Sequence, residues 1–271
     1  MIIRANCKIN IGLDIIARRE DGFHDLETVM MPVVGLYDEL SIDAAPETTF
    51  RGVGMEVDCA AEDNLCVRAA RLMQSRYGVG GVSITLDKRI PFGAGLGGGS
   101  SDATAVLIAM NQLFGLSIPE SELIGLAAEL GSDTAFFVRN TPQYCTGRGE
   151  KMEQFDLDLS GRWLVLIKPD GVNVSTREAY SGVRPSVPQR SLRELLTLPI
   201  ESWQGSVKND FEPHIFRAYP SLEQIKNDLL AVGALYAAMS GSGSTIFGIF
   251  DSDPNKKSEQ LNSYSPYIFE L

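Results

Sequence analysis
At 271 residues, with 44% hydrophobic and 22% charged residues, the chain is long enough for two cores and has a globular rather than a disordered composition. Its formal net charge of −11 repels phosphate backbones and anionic lipid, which argues against nucleic acid and membranes as partners. The cysteines, Cys7, Cys59, Cys66 and Cys145, and the histidines, His24 and His214, fall at no metal-ligand spacing, so scattered reduced thiols are expected rather than a disulfide framework or a zinc site. The first residues, Met1-Ile2-Ile3-Arg4-Ala5-Asn6, lack a signal peptide's apolar core, and no apolar run approaches membrane-spanning length; a cytoplasmic protein is expected.

The first element predicted is a strand over Lys8–Ile15. Ile9, Ile11, Leu13 and Ile15 alternate with Lys8, Asn10, Gly12 and Asp14, which puts Lys8, Asn10 and Asp14 on one face, opposite the core. Leu40, Ile42 and Ala44 mark a second alternating strand, and Val82, Ile84 and Leu86 a third. Between them the pattern predicts a helix over Asn64–Tyr77, with a stripe of Leu65, Ala69 and Leu72 and a stop at Gly78. A glycine-rich loop follows Pro91, and a helix is predicted from Ser101 to Phe114. Ser117 and Glu120 read as a capping box for the next helix, whose stripe is Leu123, Leu126 and Leu130 and whose stop is Gly131.

The second half opens near Arg162 with a short apolar strand, Trp163–Ile167. Ser175 and Glu178 form another capping-box pattern, a Pro-rich stretch spans Pro185–Pro188, and helices are predicted around Leu192 and over Ser221–Leu230. The chain then runs from Ala234 to Met239, through a Gly/Ser loop, to a segment over Thr245–Phe250. Strands and helices mix without regular alternation, which predicts an α+β fold in two lobes rather than a doubly wound sheet.

The strongest local signal is Pro91-Phe92-Gly93-Ala94-Gly95-Leu96-Gly97-Gly98-Gly99-Ser100-Ser101-Asp102. Its glycines remove side chains where backbone must come close to something, and its serines open a helix. Loop amides and a helix N-terminus together favour phosphate. A Walker A loop needs a terminal Gly-Lys-Ser/Thr that is absent here. A dinucleotide fold needs a strand and an acidic ribose ligand after the helix, where another helix is predicted. A protein kinase needs downstream His-Arg-Asp and Asp-Phe-Gly, and neither exists.

The pattern Pro-x-x-x-Gly-Leu-Gly-x-x-Ser-Ser resembles the signature of the GHMP kinase superfamily. Other segments resemble a branch of that family acting on a cytidylyl alcohol, in the same order: Lys8-Ile9-Asn10-Ile11; Arg18-Arg19 with Asp21-Gly22-Phe23-His24; Gly131-Ser132-Asp133 with Phe136-Phe137; Gly147-Arg148-Gly149-Glu150; Asn209-Asp210-Phe211-Glu212; and Met239-Ser240-Gly241-Ser242-Gly243. The departures are Asn6 and Cys7 before the lysine, Ser132, Thr134 and Ala135 around the aspartate, and Phe23 in place of a tyrosine; none removes a reacting group.

The resemblance implies a ribosomal-protein-S5-like lobe over residues 1–158, binding ATP and carrying the catalytic groups, and a ferredoxin-like lobe over residues 159–271 completing the substrate cleft. It implies transfer of the γ-phosphoryl of ATP to an alcohol, with magnesium as the neutralising ion and no assigned ligand set. Asp133 is the implied base and Lys8 the cation beside it; from the residues alone, Asp133 reads as a turn aspartate at the mouth of a buried strand over the apolar Ala135–Val138 and Lys8 as an exposed strand lysine. Phe92, Gly93, Ala94, Gly95, Leu96, Gly97, Gly98, Gly99, Ser100, Ser101 and Asp102 are implied for the nucleotide phosphates, and Asn64, otherwise a helix cap, for adenine. Asn10 and Thr176 are implied for the polyol, Phe23 and Tyr180 for the two faces of cytosine, and His24 for its edge. Two rivals remain: a GHMP kinase for homoserine or mevalonate, and a nucleotide-binding regulator that has lost catalysis. Lys8 and Asp133 argue against the second, and the Phe23, His24 and Tyr180 set against the first.

Overall fold
The computed structural model describes residues 1–55, 62–254 and 259–271. Cys59 lies outside them, while Cys7, Cys66 and Cys145 are buried. Packing divides the chain into two units. One comprises Met1–Lys8, Pro32–Phe92 and Gly97–Thr141; the other comprises Ile9–Met31, Gly93–Leu96 and Pro142–Leu271. Both β1 (Ile2–Arg18) and β2 (His24–Ala45) pass from one unit into the other along the chain.

The first unit holds β3 (Thr49–Gly54), α1 (Leu65–Tyr77), β4 (Gly81–Lys88), α2 (Gly98–Leu113), α3 (Glu120–Leu130) and α4 (Phe136–Arg139). β2 pairs antiparallel with β4, setting Leu40 opposite Leu86 and Ile42 opposite Ile84. β3 pairs parallel with β4 on its other side. Alternate residues of β2 and β4 share a face, so Leu40, Ile42, Ile84 and Leu86 are all buried together. α1 packs on α2. Asn64 starts α1 by accepting the amide of Cys66, and Gly78 ends it at φ 65°, where a side chain would be strained. The buried stripe of α1 is Cys66, Val67, Ala69, Ala70 and Met73, turned slightly from the expected Leu65, Ala69 and Leu72.

The second unit holds β5 (Gln143–Gly147), β6 (Lys151–Gln154), β7 (Trp163–Ile167), α5 (Thr176–Ser181), α6 (Leu192–Leu195), α7 (Glu212–Ala218), α8 (Pro220–Ala231), β8 (Tyr236–Met239), β9 (Ile246–Phe250) and β10 (Tyr267–Glu270). β10, β7, β9 and β8 form an antiparallel sheet in that order. α8 packs on β8 and β9, and its buried Leu222, Ile225 and Leu229 join Val165, Ile167, Ala237 and Ile246 in one core. The content is α+β, as expected.

Four local expectations are corrected. α3 starts at Glu120, not with Ser117 as its cap: Ser117 sits at φ 55°, and Asn111 takes both backbone groups of Ile118 instead. α2 starts at Gly98, inside the glycine loop, rather than at Ser101. The apolar run Ala135–Val138 is not a strand. It is the cap and body of α4, entered by bonds from the amides of Phe136, Phe137 and Val138 to the carbonyls of Asp133, Thr134 and Ala135. Lys8, Asn10 and Asp14 are also not on an exposed face, because residues 5–15 are buried on both sides of β1. Among the described residues no helix is long and apolar enough to cross a membrane.

Candidate functional site
In the first unit β1 delivers Lys8 to Asp133. Lys8 Nζ lies 3.2 Å from Asp133 Oδ2; the lysine side chain is 3% exposed and the aspartate 32%. Asp133 sits in the turn between α3 and α4, which the hydroxyl of Thr104 holds by donating to the Thr134 carbonyl. A buried cation beside a half-buried carboxylate leaves the carboxylate as the open member of the pair. That order suits a proton acceptor better than a surface ion pair does.

The end of the glycine loop lies against the same lysine. Gly97 has φ +70°, and a Cβ built there would lie 3.1 Å from Lys8 Cε and 3.1 Å from Phe137 Cζ. Only glycine fits so close a crossing at that φ. Gly97 precedes α2, whose first turn holds Gly98 and Gly99; the first amides of a helix lack intrahelical partners and favour anions. Ser101 and Asp102 are buried, whereas Phe92 is exposed. Asn64 is also buried, with its side-chain oxygen capping α1.

Asp102 faces inward. Its Oδ2 accepts from Lys88 Nζ at 2.8 Å, and the same ammonium pairs with Asp38. Burial pushes the Asp102 carboxyl above its ordinary range, against the pull of Lys88 and with the neighbouring Asp38 adding to the rise. Burial also opposes the Lys88 charge, but the two carboxylates outweigh it and the ammonium is held above its ordinary range. Neither Asp38 nor Lys88 stands out in the sequence. The signal available was a charged residue closing an apolar strand just before the glycine loop.

In the second unit the earlier part of that loop meets the Met239–Ser244 segment. A Cβ on Gly95, at φ +74°, would lie 2.1 Å from the Ser240 carbonyl oxygen. The Ser240 hydroxyl donates to the Gly95 carbonyl at 2.9 Å and accepts the Asn10 amide at 3.2 Å. Asn10 Nδ2 donates to Thr28 Oγ1 at 3.1 Å. Asn209 shapes the Ser240 turn by donating to the carbonyls of Met239 and Gly241, each at 2.8 Å. Glu212 accepts the Met239 amide, and Asp210 accepts that of Ile15. The Asn209–Glu212 segment is thus a scaffold for backbone.

The aromatic residues are also in this unit. His24 and Tyr180 stack with centroids 4.9 Å apart at 26°. Tyr180 in turn meets the edge of Phe211 at 4.8 Å. Phe23, 54% exposed, carries the Arg148 guanidinium 4.8 Å above its ring. So the structure pairs Tyr180 with His24 rather than with Phe23. Burial, and secondarily Arg18, lower the His24 pKa, which keeps its imidazole neutral at pH 7 with one donor and one acceptor nitrogen. Thr176 is exposed at the start of α5, which Ser175 caps through the Glu178 amide.

The family model for the N-terminal domain of GHMP kinases matches residues 64–141, and that for the C-terminal domain residues 188–266. The chain is 45% identical to 4-diphosphocytidyl-2-C-methyl-D-erythritol kinase of Parabacteroides distasonis over 97% of its own length and 96% of the relative's. It is 42% identical to the same-named kinase of Bacteroides fragilis, over 100% and 98% of the two chains. A crystal structure of 4-(cytidine 5'-diphospho)-2C-methyl-D-erythritol kinase superposes with a TM-score of 0.84 at 33% identity, over 99% of this chain and 98% of that one.

Proposed function
This chain belongs to the GHMP kinase family, and from that membership we propose that it transfers the γ-phosphoryl group of ATP to the 2-hydroxyl of 4-diphosphocytidyl-2-C-methyl-D-erythritol, giving the 2-phosphate and ADP in the non-mevalonate isoprenoid route. The observation that carries the reading is the pairing of buried Lys8 with half-buried Asp133 in a chain 45% identical to a kinase of that name.

In this mechanism the 2-hydroxyl oxygen attacks the γ-phosphorus, the bond from that phosphorus to the β–γ bridging oxygen breaks, and ADP leaves. Asp133 Oδ accepts the hydroxyl proton. Lys8 keeps Asp133 ionised and favours negative charge on the attacking oxygen. An ion-paired carboxylate is a weak base, so most of the acceleration comes from alignment and electrostatics. Residues 1–158 carry these groups, the glycine loop for the phosphates and Asn64 for adenine. Residues 159–271 supply Thr176 and Tyr180 to the acceptor. Asn10 holds the methylerythritol hydroxyls, while Phe23, His24 and Tyr180 take the cytosine.

Magnesium is the ion proposed to travel with ATP. Among the described residues no group of three or more His, Cys, Asp or Glu could hold a metal. ATP-bound magnesium needs no such cage, because phosphate oxygens and water fill most of its octahedron. Ser101 in the first turn of α2 fits as a protein oxygen; Asp102 is held by Lys88. When bound, the ion neutralises triphosphate charge.

The test is to incubate the purified protein with ATP and the cytidylyl alcohol, homoserine or mevalonate in parallel, following ADP release and locating the new phosphate by phosphorus NMR. Turnover only with the cytidylyl alcohol, phosphorylated at the 2-position, supports the proposal. Preference for either other alcohol overturns it.

A further inference from the structure
The glycine loop of the first unit rests on three ionisable side chains, all of them buried: Asp38 is 0% exposed, Lys88 3% and Asp102 2%. They come from three elements, β2, β4 and α2. Lys88 Nζ donates to Asp102 Oδ2 at 2.8 Å and to Asp38 Oδ2. Asp38 Oδ1 accepts two backbone amides, of Arg89 at 2.6 Å and of Ile90 at 2.8 Å. Those amides open the loop that leaves β4, and Asp102 lies in the helix that receives it. A Cβ on Gly98 would lie 2.9 Å from Lys88 Nζ and 2.9 Å from Ile90 Cγ2. The lysine therefore lies directly under the first turn of α2.

Stability alone does not account for this arrangement. A buried ion cluster is often no better for stability than apolar side chains of the same volume, because desolvation offsets the attraction. What the cluster fixes is geometry: one ammonium grips, at once, the carboxylate that holds the loop's entry and a carboxylate of the helix into which the loop runs. We propose that Lys88 is a positioning residue for the nucleotide, setting the spacing between the two ends of the glycine loop and so the aim of the amides at the head of α2. The proposal rests on the kinase reading and deepens it, since Lys88 is buried and acts through the loop and helix it holds.

The experiment compares wild type with Lys88→Met and with the triple variant Lys88→Met, Asp38→Asn, Asp102→Asn. The single variant strands two carboxylates and can fail to fold. The triple removes all three charges together, and the side-chain carbonyl that Asp38→Asn leaves in place can still accept the Arg89 and Ile90 amides, so only the link from entry to exit is lost. Thermal unfolding is measured first, then KM for ATP, KM for the cytidylyl alcohol and kcat, and the affinity for a non-hydrolysable ATP analogue by calorimetry. The triple variant is expected to fold, with KM for ATP and analogue affinity weakened about tenfold or more while KM for the alcohol stays within about twofold. A folded triple with wild-type ATP affinity overturns the proposal, as does a parallel loss of affinity for both substrates. If wild type binds the analogue but does not phosphorylate the cytidylyl alcohol, the substrate reading falls, and the calorimetric comparison still decides the role of Lys88.

Discussion

Lys8 and Asp133 meet at 3.2 Å with opposite degrees of burial, the lysine 3% exposed and the aspartate 32%. The lysine is anchored in the interior, whereas the aspartate keeps an open side. The pair is therefore a fixed cation beside a reachable carboxylate, which is what the proposed base requires.

Asp133→Asn is expected to lower turnover by roughly 10²–10⁴-fold while ATP affinity changes little. Lys8→Met should cost a comparable factor, and the double variant should lose little more than either single one, because both remove the same unit. Steady-state kinetics on the four proteins of this cycle, with ATP affinity measured separately, checks it. Near-normal turnover of Asp133→Asn would mean that the residue merely shapes its turn.

The loop glycines divide by what a Cβ would meet. At Gly95 it would lie 2.1 Å from the Ser240 carbonyl, with φ at +74°. Gly95→Ala should destabilise the fold as well as the activity. At Gly99, among the described residues, it would meet Leu65 Cδ1 at 3.6 Å, an ordinary contact. Alanine there suits a helix better than glycine, by roughly 0.5–1 kcal/mol. Gly99→Ala should keep or raise the melting temperature, and Gly99→Val should weaken ATP binding if phosphate approaches that backbone. Melting curves and ATP titrations separate the two positions; equal ATP affinity in Gly99→Val would remove Gly99 from the phosphate site.

The His24–Tyr180 stack has centroids 4.9 Å apart. Base stacking on an aromatic side chain is worth about 1–3 kcal/mol, so Tyr180→Ala should raise KM for the cytidylyl alcohol by roughly tenfold and leave KM for ATP unchanged. His24→Ala should narrow the preference for the cytidylyl over the uridylyl alcohol, by about one hydrogen bond's worth of discrimination. Wild-type constants for both variants would place cytosine elsewhere.

Asp14 gives a pH-dependent stability. Burial, then the nearby Asp210 and Glu27, raise its carboxyl from the ordinary 3.8 to about 7, against the pull of Lys208. In the folded chain the proton stays on until about pH 7; in the unfolded chain it leaves near 3.8. The contribution of this group is therefore full below pH 3.8 and is lost as pH rises through about 7. Asp14→Asn removes that loss, so the melting temperature of the variant relative to wild type should increase from pH 5 to pH 8. A constant difference across that window would show that Asp14 ionises normally.

Much of the architecture is readable along the chain, because the features that announce it are local. The alternation of Val82, Ile84 and Leu86 marks β4, Asn64 and Gly78 bracket α1, and Trp163–Ile167 coincides with β7. The glycine run 93–99 announces a close backbone approach, since a residue without Cβ is legible by itself. What tertiary structure decided is where charged and polar side chains go. Periodicity puts Lys8, Asn10 and Asp14 on a face opposite the core, yet all three are buried. A period of two records which residues share a face, not whether that face is covered. Four residues, Ala135–Val138, are too few to tell strand from helix, and the bonds from the Phe136, Phe137 and Val138 amides to the carbonyls three residues back make it a helical turn. Asp38 and Lys88 carry no sequence signature because their meaning lies in each other and in Asp102, and β2, β4 and α2 bring them together only when the first unit folds. Composition and spacing report what a residue can do; a buried ion pair exists only where the fold supplies its partner and excludes water.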